Sequence, residues 1–359
     1  MGADEADGGQ TMAAMEAELL NPQVPSHRGN LSSNSSEYFY SAVIHAGDLA
    51  YNLDTDAGRV GDRFMEQIEP VASRVPYMVA PGNHEAHDNF SHITGRFEMP
   101  LKNQSHNLFY SFDIGLVHFV SYNTETYFNM TGQGAASGDG NDCVKAQYNW
   151  MKDDLAVANA NRATRPWIVA YGHRPMYCNV AAHNATTNST GCDGEQEQSR
   201  NGAQAGTGTT SGAEPGSTDF AIEDLLFEYG VDLAFYGHVH DYSRFLPVYN
   251  DSVMDDFTND LSNYTNPSAT VHFTVGGAGN PEMTDTSTGC AYYDGTGWAP
   301  WAAVTAGPYG SCTDVNFGRA VAFNASHLHY QQVSVTSRGV IDDLWIVQEN
   351  HGSFKNRTR

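Results

Sequence analysis

Four times in this chain an apolar run closes on a glycine followed at once by a polar side chain able to bind a metal. The runs at 41–46, 76–80, 166–171 and 231–236 lead into Gly47-Asp48, Gly82-Asn83-His84-Glu85, Gly172-His173 and Gly237-His238-Val239-His240. Short apolar runs bounded by turn residues read as buried strands. Buried strands alternating with helical patterns pack as an α/β fold, with helices laid over mixed sheets. Open α/β sheets gather ligands at the carboxyl ends of their strands. The pattern therefore predicts a layered α/β-sandwich with one site where the four strand exits converge.

The rest of the chain fits around that frame. Helical spacing marks residues 5–20, 61–73, 144–158 and 220–229. Residues 108–114 and 116–122 alternate on either side of Gly115 and read as a hairpin. Beyond the last motif the pattern turns to β, at 270–275, 319–323, 327–336 and 340–348. Polar residues 21–37 and glycine-rich residues 124–142 read as loops. Residues 182–217, dense in Gly, Ser, Thr and Asn, read as a low-complexity insertion loop. No repeat and no linker divides the chain, so residues 1–359 are expected to form a single catalytic domain.

Composition narrows the partners. A net charge of -24, with only 18 basic residues, repels nucleic acid and anionic membrane. A small phosphate can still bind, because a local metal charge outweighs a diffuse surface field. No run is long and apolar enough to span a membrane. Asn-x-Ser/Thr sequons recur from Asn30 and Asn34 through Asn184 and Asn188 to Asn356, which predicts N-linked glycans and a secreted or extracellular protein. In that compartment Cys178–Cys192 and Cys290–Cys312 are the disulfides expected from proximity, with Cys143 left over. No CxxC pair supports a zinc finger.

The side chains at the strand exits suit two adjacent cations. Asp48 supplies a carboxylate that can bridge two ions. Tyr51, three residues on, supplies a hard phenolate suited to a trivalent ion, most naturally Fe(III). Asn83 offers an amide oxygen; His84 can ligate, hydrogen-bond or protonate a leaving group. His238 and His240, two residues apart in an extended segment, would point toward one site. Each motif alone has a bland explanation: Gly-Asp and Asn-His are common turns, and a lone His173 is more often a satisfied core residue. Their joint occurrence, each at a strand end, favours the site. His45, His118 and His272 lie within strands and read as packing residues. His183, ten residues past His173, falls in the insertion loop.

Gly47-Asp48-Leu49-Ala50-Tyr51, Gly82-Asn83-His84-Glu85, His173 just ahead of Pro175, and Gly237-His238-Val239-His240 together resemble the motifs of the metallophosphoesterase superfamily, and within it the purple acid phosphatase family. The tyrosine after Gly-Asp separates that family from most metallophosphoesterases. The resemblance extends to about Asn350 and includes residues 273–280 and 327–348. It implies that Asp48 bridges two ions, that Tyr51 and His240 bind Fe(III), and that Asn83, His173 and His238 bind a divalent zinc, manganese or iron. It implies that His84, and less directly His183, contacts the phosphate or aids the leaving group. The reaction implied is hydrolysis of a small phosphate monoester in acid by a metal-bound hydroxide.

The family carries an earlier Gly-Asp-x-Gly motif whose aspartate completes the ferric site. Met1-Gly2 match its last two residues, so the expectation is that this aspartate, the strand feeding it, any N-terminal β domain and a signal peptide lie upstream of Met1. Two other readings stay open. One is a metallophosphodiesterase, and the other a glycoprotein that binds phosphate without cleaving it.

Overall fold

The computed structural model describes residues 8–20, 40–100, 105–128, 140–179, 196–202, 220–279, 299–305 and 315–356. The first helix, α1 (Gly8–Leu20), precedes β1 (Val43–Ala46), α2 (Arg59–Ala72) and β2 (Tyr77–Ala80). A short α3 (Ser91–Arg96) leads to the hairpin of β3 (Tyr110–Ile114) and β4 (Val117–Ser121). Then come α4 (Gly140–Ala160), β5 (Trp167–Tyr171), α5 (Gln196–Asn201), α6 (Ile222–Tyr229) and β6 (Leu233–Tyr236). The remainder is β: β7 (Tyr242–Phe245), β8 (Val248–Tyr249), β9 (Ser252–Val253), β10 (Asn263–Thr265), β11 (Val271–Val275), β12 (Ala302–Thr305), β13 (Asn316–Ala322), β14 (His327–Ser334) and β15 (Val340–Val347).

Seven strands form one mixed sheet in the order β12-β7-β11-β6-β5-β4-β3. Its centre, β4 to β5 to β6 to β11, is parallel, and its edges are antiparallel. β5 shows why the centre reads as an unbroken apolar run, since every one of its residues is buried. Ile168 and Ala170 face helices α4 and α6 through Met151, Leu155 and Leu225. Trp167 and Val169 face the other way, into Leu328, Tyr330, Leu344 and Ile346 of a four-stranded sheet ordered β10-β15-β14-β13. The period-two alternation of a strand thus serves two packing layers at once. Strands β1 and β2 pair in parallel and pack on α2 through Phe64, Ile68 and Val79. Mixed sheets flanked by helices are the architecture expected.

Several local expectations need correction. β7 escapes a hydrophobicity pattern because Arg244 sits inside it, although all four of its residues are buried. Arg244 is held there by Asp342 of β15, with Nε 2.6 Å from one carboxylate oxygen and Nη2 2.9 Å from the other. Within residues 182–217, α5 replaces loop at Gln196–Asn201, where Arg200 pairs with Asp251 and lies over the Tyr177 ring. Residues 182–195 and 203–217, His183 included, lie outside the described residues, as do Cys192, Cys290 and Cys312 of the expected disulfides. Residues 124–128, expected as loop, form a buried 3-10 turn.

His118 is more than packing. Its Nδ1 lies 2.7 Å from Asp113 and its Nε2 2.9 Å from Asp154, tying the β3–β4 hairpin to α4. Serving both carboxylates requires both ring nitrogens to carry protons. Burial lowers the His118 pKa, but the bonds and charges of Asp154 and Asp113 outweigh it and leave it raised. A raised histidine pKa stabilises the fold fully below the unfolded value near 6.5 and loses that contribution as pH rises through the folded value. His118→Asn is therefore expected to lower the thermal midpoint in acid, with the deficit shrinking as pH rises above about 6.5. Parallel pH profiles for the two proteins would refute this role.

Candidate metal centre

Six of the expected side chains lie two to four residues beyond a strand end. Asp48 follows β1, Asn83 and His84 follow β2, His173 follows β5, and His238 and His240 follow β6. Asp48 adopts a left-handed backbone, with φ of 52°, and His238 does likewise at 63°. His238-Val239-His240 is therefore not extended. Its two rings part: His238 Nδ1 reaches Asn83 Oδ1 at 3.1 Å, while His240 Nε2 meets the Tyr51 hydroxyl at 2.9 Å.

Four ligand-type atoms converge. His173 Nε2 is 3.0 Å from Asn83 Oδ1, 3.1 Å from Asp48 Oδ2 and 3.2 Å from His238 Nδ1. His173 Nδ1 lies 2.8 Å from the Ala46 carbonyl, an acceptor only, so Nδ1 donates and Nε2 is free to present a lone pair. Four acceptors crowded together repel unless a cation sits among them. Ligands about 2.0–2.1 Å from a tetrahedral zinc lie about 3.3 Å apart, close to the spacings here. Among the described residues, Asp48, His173 and His238 form the group able to hold a metal. The donor set fits a divalent ion, and Tyr51 and His240 pair beside it.

The electrostatics point the same way. Burial raises the Asp48 carboxyl, but the charge and hydrogen bond of His173, then His84 and His238, outweigh it and hold it well below the usual carboxylate range. Burial lowers His173, but Asp48 reverses the effect and leaves it raised to about 9. Burial, more than any neighbour, lowers His240 to about 4, leaving its imidazole neutral in mild acid.

Sequence reasoning missed the residues behind the ligands. Glu85 is 2% exposed, yet its carboxylate accepts from three backbone N–H groups: Asp48 at 2.8 Å, Leu49 at 2.9 Å and Gly82 at 2.9 Å. It staples the β1 exit to the β2 exit. Burial first, then the Asp48 charge, pushes its carboxyl up to about 7. Glu125, at 0% exposure, holds Arg174 through Nε at 3.0 Å, and Arg174 Nη1 stands 3.3 Å from His238 Nε2. The only sequence signal for Glu125 is a charge four residues past the end of a strand.

Gly82 is required by proximity. A Cβ there would stand 2.4 Å from Asp48 Oδ1 and 2.5 Å from the Asp48 nitrogen. Gly82→Ala is expected to push Asp48 out of place and cut zinc affinity at least ~10-fold, as outer-shell changes around metals do. Zinc titration against a competing chelator measures this; affinity equal to the parent would show that the loop yields.

Two family models match the chain. Residues 29–242 match the family described as calcineurin-like phosphoesterase, and residues 269–343 match iron/zinc purple acid phosphatase-like protein C. Human acid phosphatase type 7 is 40% identical over 323 residues, covering 90% of this chain and 64% of its own length. The zebrafish (Danio rerio) protein of that name is 36% identical, covering 93% and 67%. Purple acid phosphatase 22 of Arabidopsis thaliana is 33% identical, covering 68% and 45%. The chain thus spans a little under two thirds of the human relative. A purple acid phosphatase from yellow lupin (Lupinus luteus) seeds shares the fold, with a TM-score of 0.61 at 23% identity, covering 95% of this chain and 49% of that one.

Proposed function

The chain belongs to the purple acid phosphatase family of calcineurin-like phosphoesterases, and on that footing we propose that it hydrolyses small phosphate monoesters at a dinuclear metal centre. The observation that supports this most is the approach to 3.0–3.2 Å of His173, His238, Asn83 and Asp48 from four separate strand exits. In this reading Asn83, His173 and His238 would hold a divalent ion, Tyr51 and His240 would hold Fe(III), and Asp48 would contribute to both sites. Such ions, when bound, supply an acidic water and positive charge for the phosphate oxygens.

The chain's own groups do the rest. The Ala46 carbonyl fixes the His173 ring, and Asn83, a neutral amide, would offset none of the ion's charge, leaving it for substrate. His84 stands beside Tyr51, ring centroids 4.2 Å apart, at the rim where a leaving group would depart. His183 is the second candidate for that duty. Residues 1–359 would act as one catalytic unit, secreted and N-glycosylated. No helix among the described residues is long and apolar enough to cross a membrane.

Expression with iron and zinc, metal analysis, and hydrolysis of an aryl phosphate from pH 4 to 8 test the reading. The expected result is about two metal ions per chain, a visible absorption band from tyrosinate to iron, and turnover favoured in acid. Metal uptake without turnover would instead assign a binding role.

A further inference from the structure

We propose that Asn52 is a positioning residue for leaving-group protonation, acting by fixing the ring of His84. The inference rests on the hydrolytic reading above. His84 Nδ1 lies 2.6 Å from Asn52 Oδ1, an oxygen that can only accept, so Nδ1 carries a proton and donates it. That leaves Nε2, which makes no hydrogen bond among the described residues, as the nitrogen available to substrate. The residue is held at two further points: the His84 backbone N–H donates to Asp48 Oδ1 at 3.1 Å, and the ring packs at a tilt against Tyr51. Asn52 directly follows Tyr51, so one turn positions both the phenol and the histidine that packs against it.

The arrangement is that of an orienting group behind a catalytic imidazole, with a neutral amide in place of a carboxylate. In the step it serves, the bond between phosphorus and the ester oxygen breaks as a water oxygen bonds to phosphorus. The ring serves as the imidazolium, its Nδ1–H held by Asn52: the Nε2 proton passes to the departing oxygen to give an alcohol, the attacking water's proton goes to solvent, and solvent returns a proton to Nε2. With Asn52 gone, the ring can rotate or take the other tautomer, and Nε2 no longer points at that oxygen.

The test uses the full chain loaded with iron and zinc, and compares an alkyl phosphate with 4-nitrophenyl phosphate, whose nitrophenolate leaves without a proton. Asn52→Leu is expected to lose turnover of the alkyl ester at least ~10-fold more than of the nitrophenyl ester, within the range for general acid catalysis. Asn52→Asp, which keeps an acceptor oxygen, is expected to restore the ratio. In the metal-free chain, nitrogen-15 shifts of the His84 ring should report protonation at Nδ1 in the parent and in Asn52→Asp, and a mixture in Asn52→Leu. Equal losses on the two esters, or an unchanged tautomer in Asn52→Leu, overturn the proposal alone. A parent that hydrolyses neither ester overturns the hydrolytic reading and this proposal with it.

Discussion

Glu85→Ala is expected to empty the metal centre while every ligand remains in the sequence. The substitution leaves the N–H groups of Asp48, Leu49 and Gly82 without their common acceptor in a water-poor interior. Each buried N–H left unpaired costs about 1–3 kcal/mol. Losses within one network do not simply add, so the total is on the order of 3–6 kcal/mol. The local effect is larger than the global one. Asp48 is held in a left-handed conformation that a non-glycine residue adopts only when its surroundings impose it, and Glu85 supplies part of that imposition. Zinc affinity should fall at least ~10-fold. Glu85→Gln keeps the shape and one oxygen, so it should fall between. Denaturant unfolding alongside zinc titration separates the two losses. Parent-like affinity in Glu85→Ala would show that the ligands hold their own geometry.

Asp342→Ala is expected to cost about 3–5 kcal/mol of stability, the usual penalty for orphaning one member of a buried ion pair. Arg244 is 1% exposed and lies on the seven-stranded sheet, while Asp342 lies on the four-stranded sheet facing it. The pair is the polar rivet between layers otherwise joined by Phe273, Tyr330 and Leu344. Tyr264 and the Leu261 carbonyl complete the guanidinium's partners, so none of its charge meets water. A fall in thermal midpoint on the order of 10 °C follows from that cost. Replacing both members by apolar residues of similar volume should recover much of it, because the desolvation penalty disappears with the charges. A single substitution that leaves the midpoint within about 2 °C would mean that water reaches the pair.

The two predictions concern residues of different legibility. Glu85 is visible in the sequence as the last member of a motif, but its three-way grip on backbone N–H groups is not, since two of the donors lie 36 and 37 residues away. Arg244 is a charge in a stretch that does not read as a strand, because burial of arginine depends on a partner nearly a hundred residues later. Asn52 has no signal of its own. It matters because Tyr51 and His84 pack against each other.

What the residue order alone determined is the alternation of strands and helices, the glycine-punctuated exits and the chemical nature of the ligands. Those follow from local rules: apolar period, backbone freedom at glycine, and the donor atoms a side chain carries. What only the tertiary structure decided is which atom of each ligand faces the centre, the parting of His238 from His240, and the buried carboxylates that hold the loops. Those depend on left-handed backbone at Asp48 and His238 and on hydrogen bonds between residues far apart in the chain, which are settled only when packing brings the exits of two sheets together.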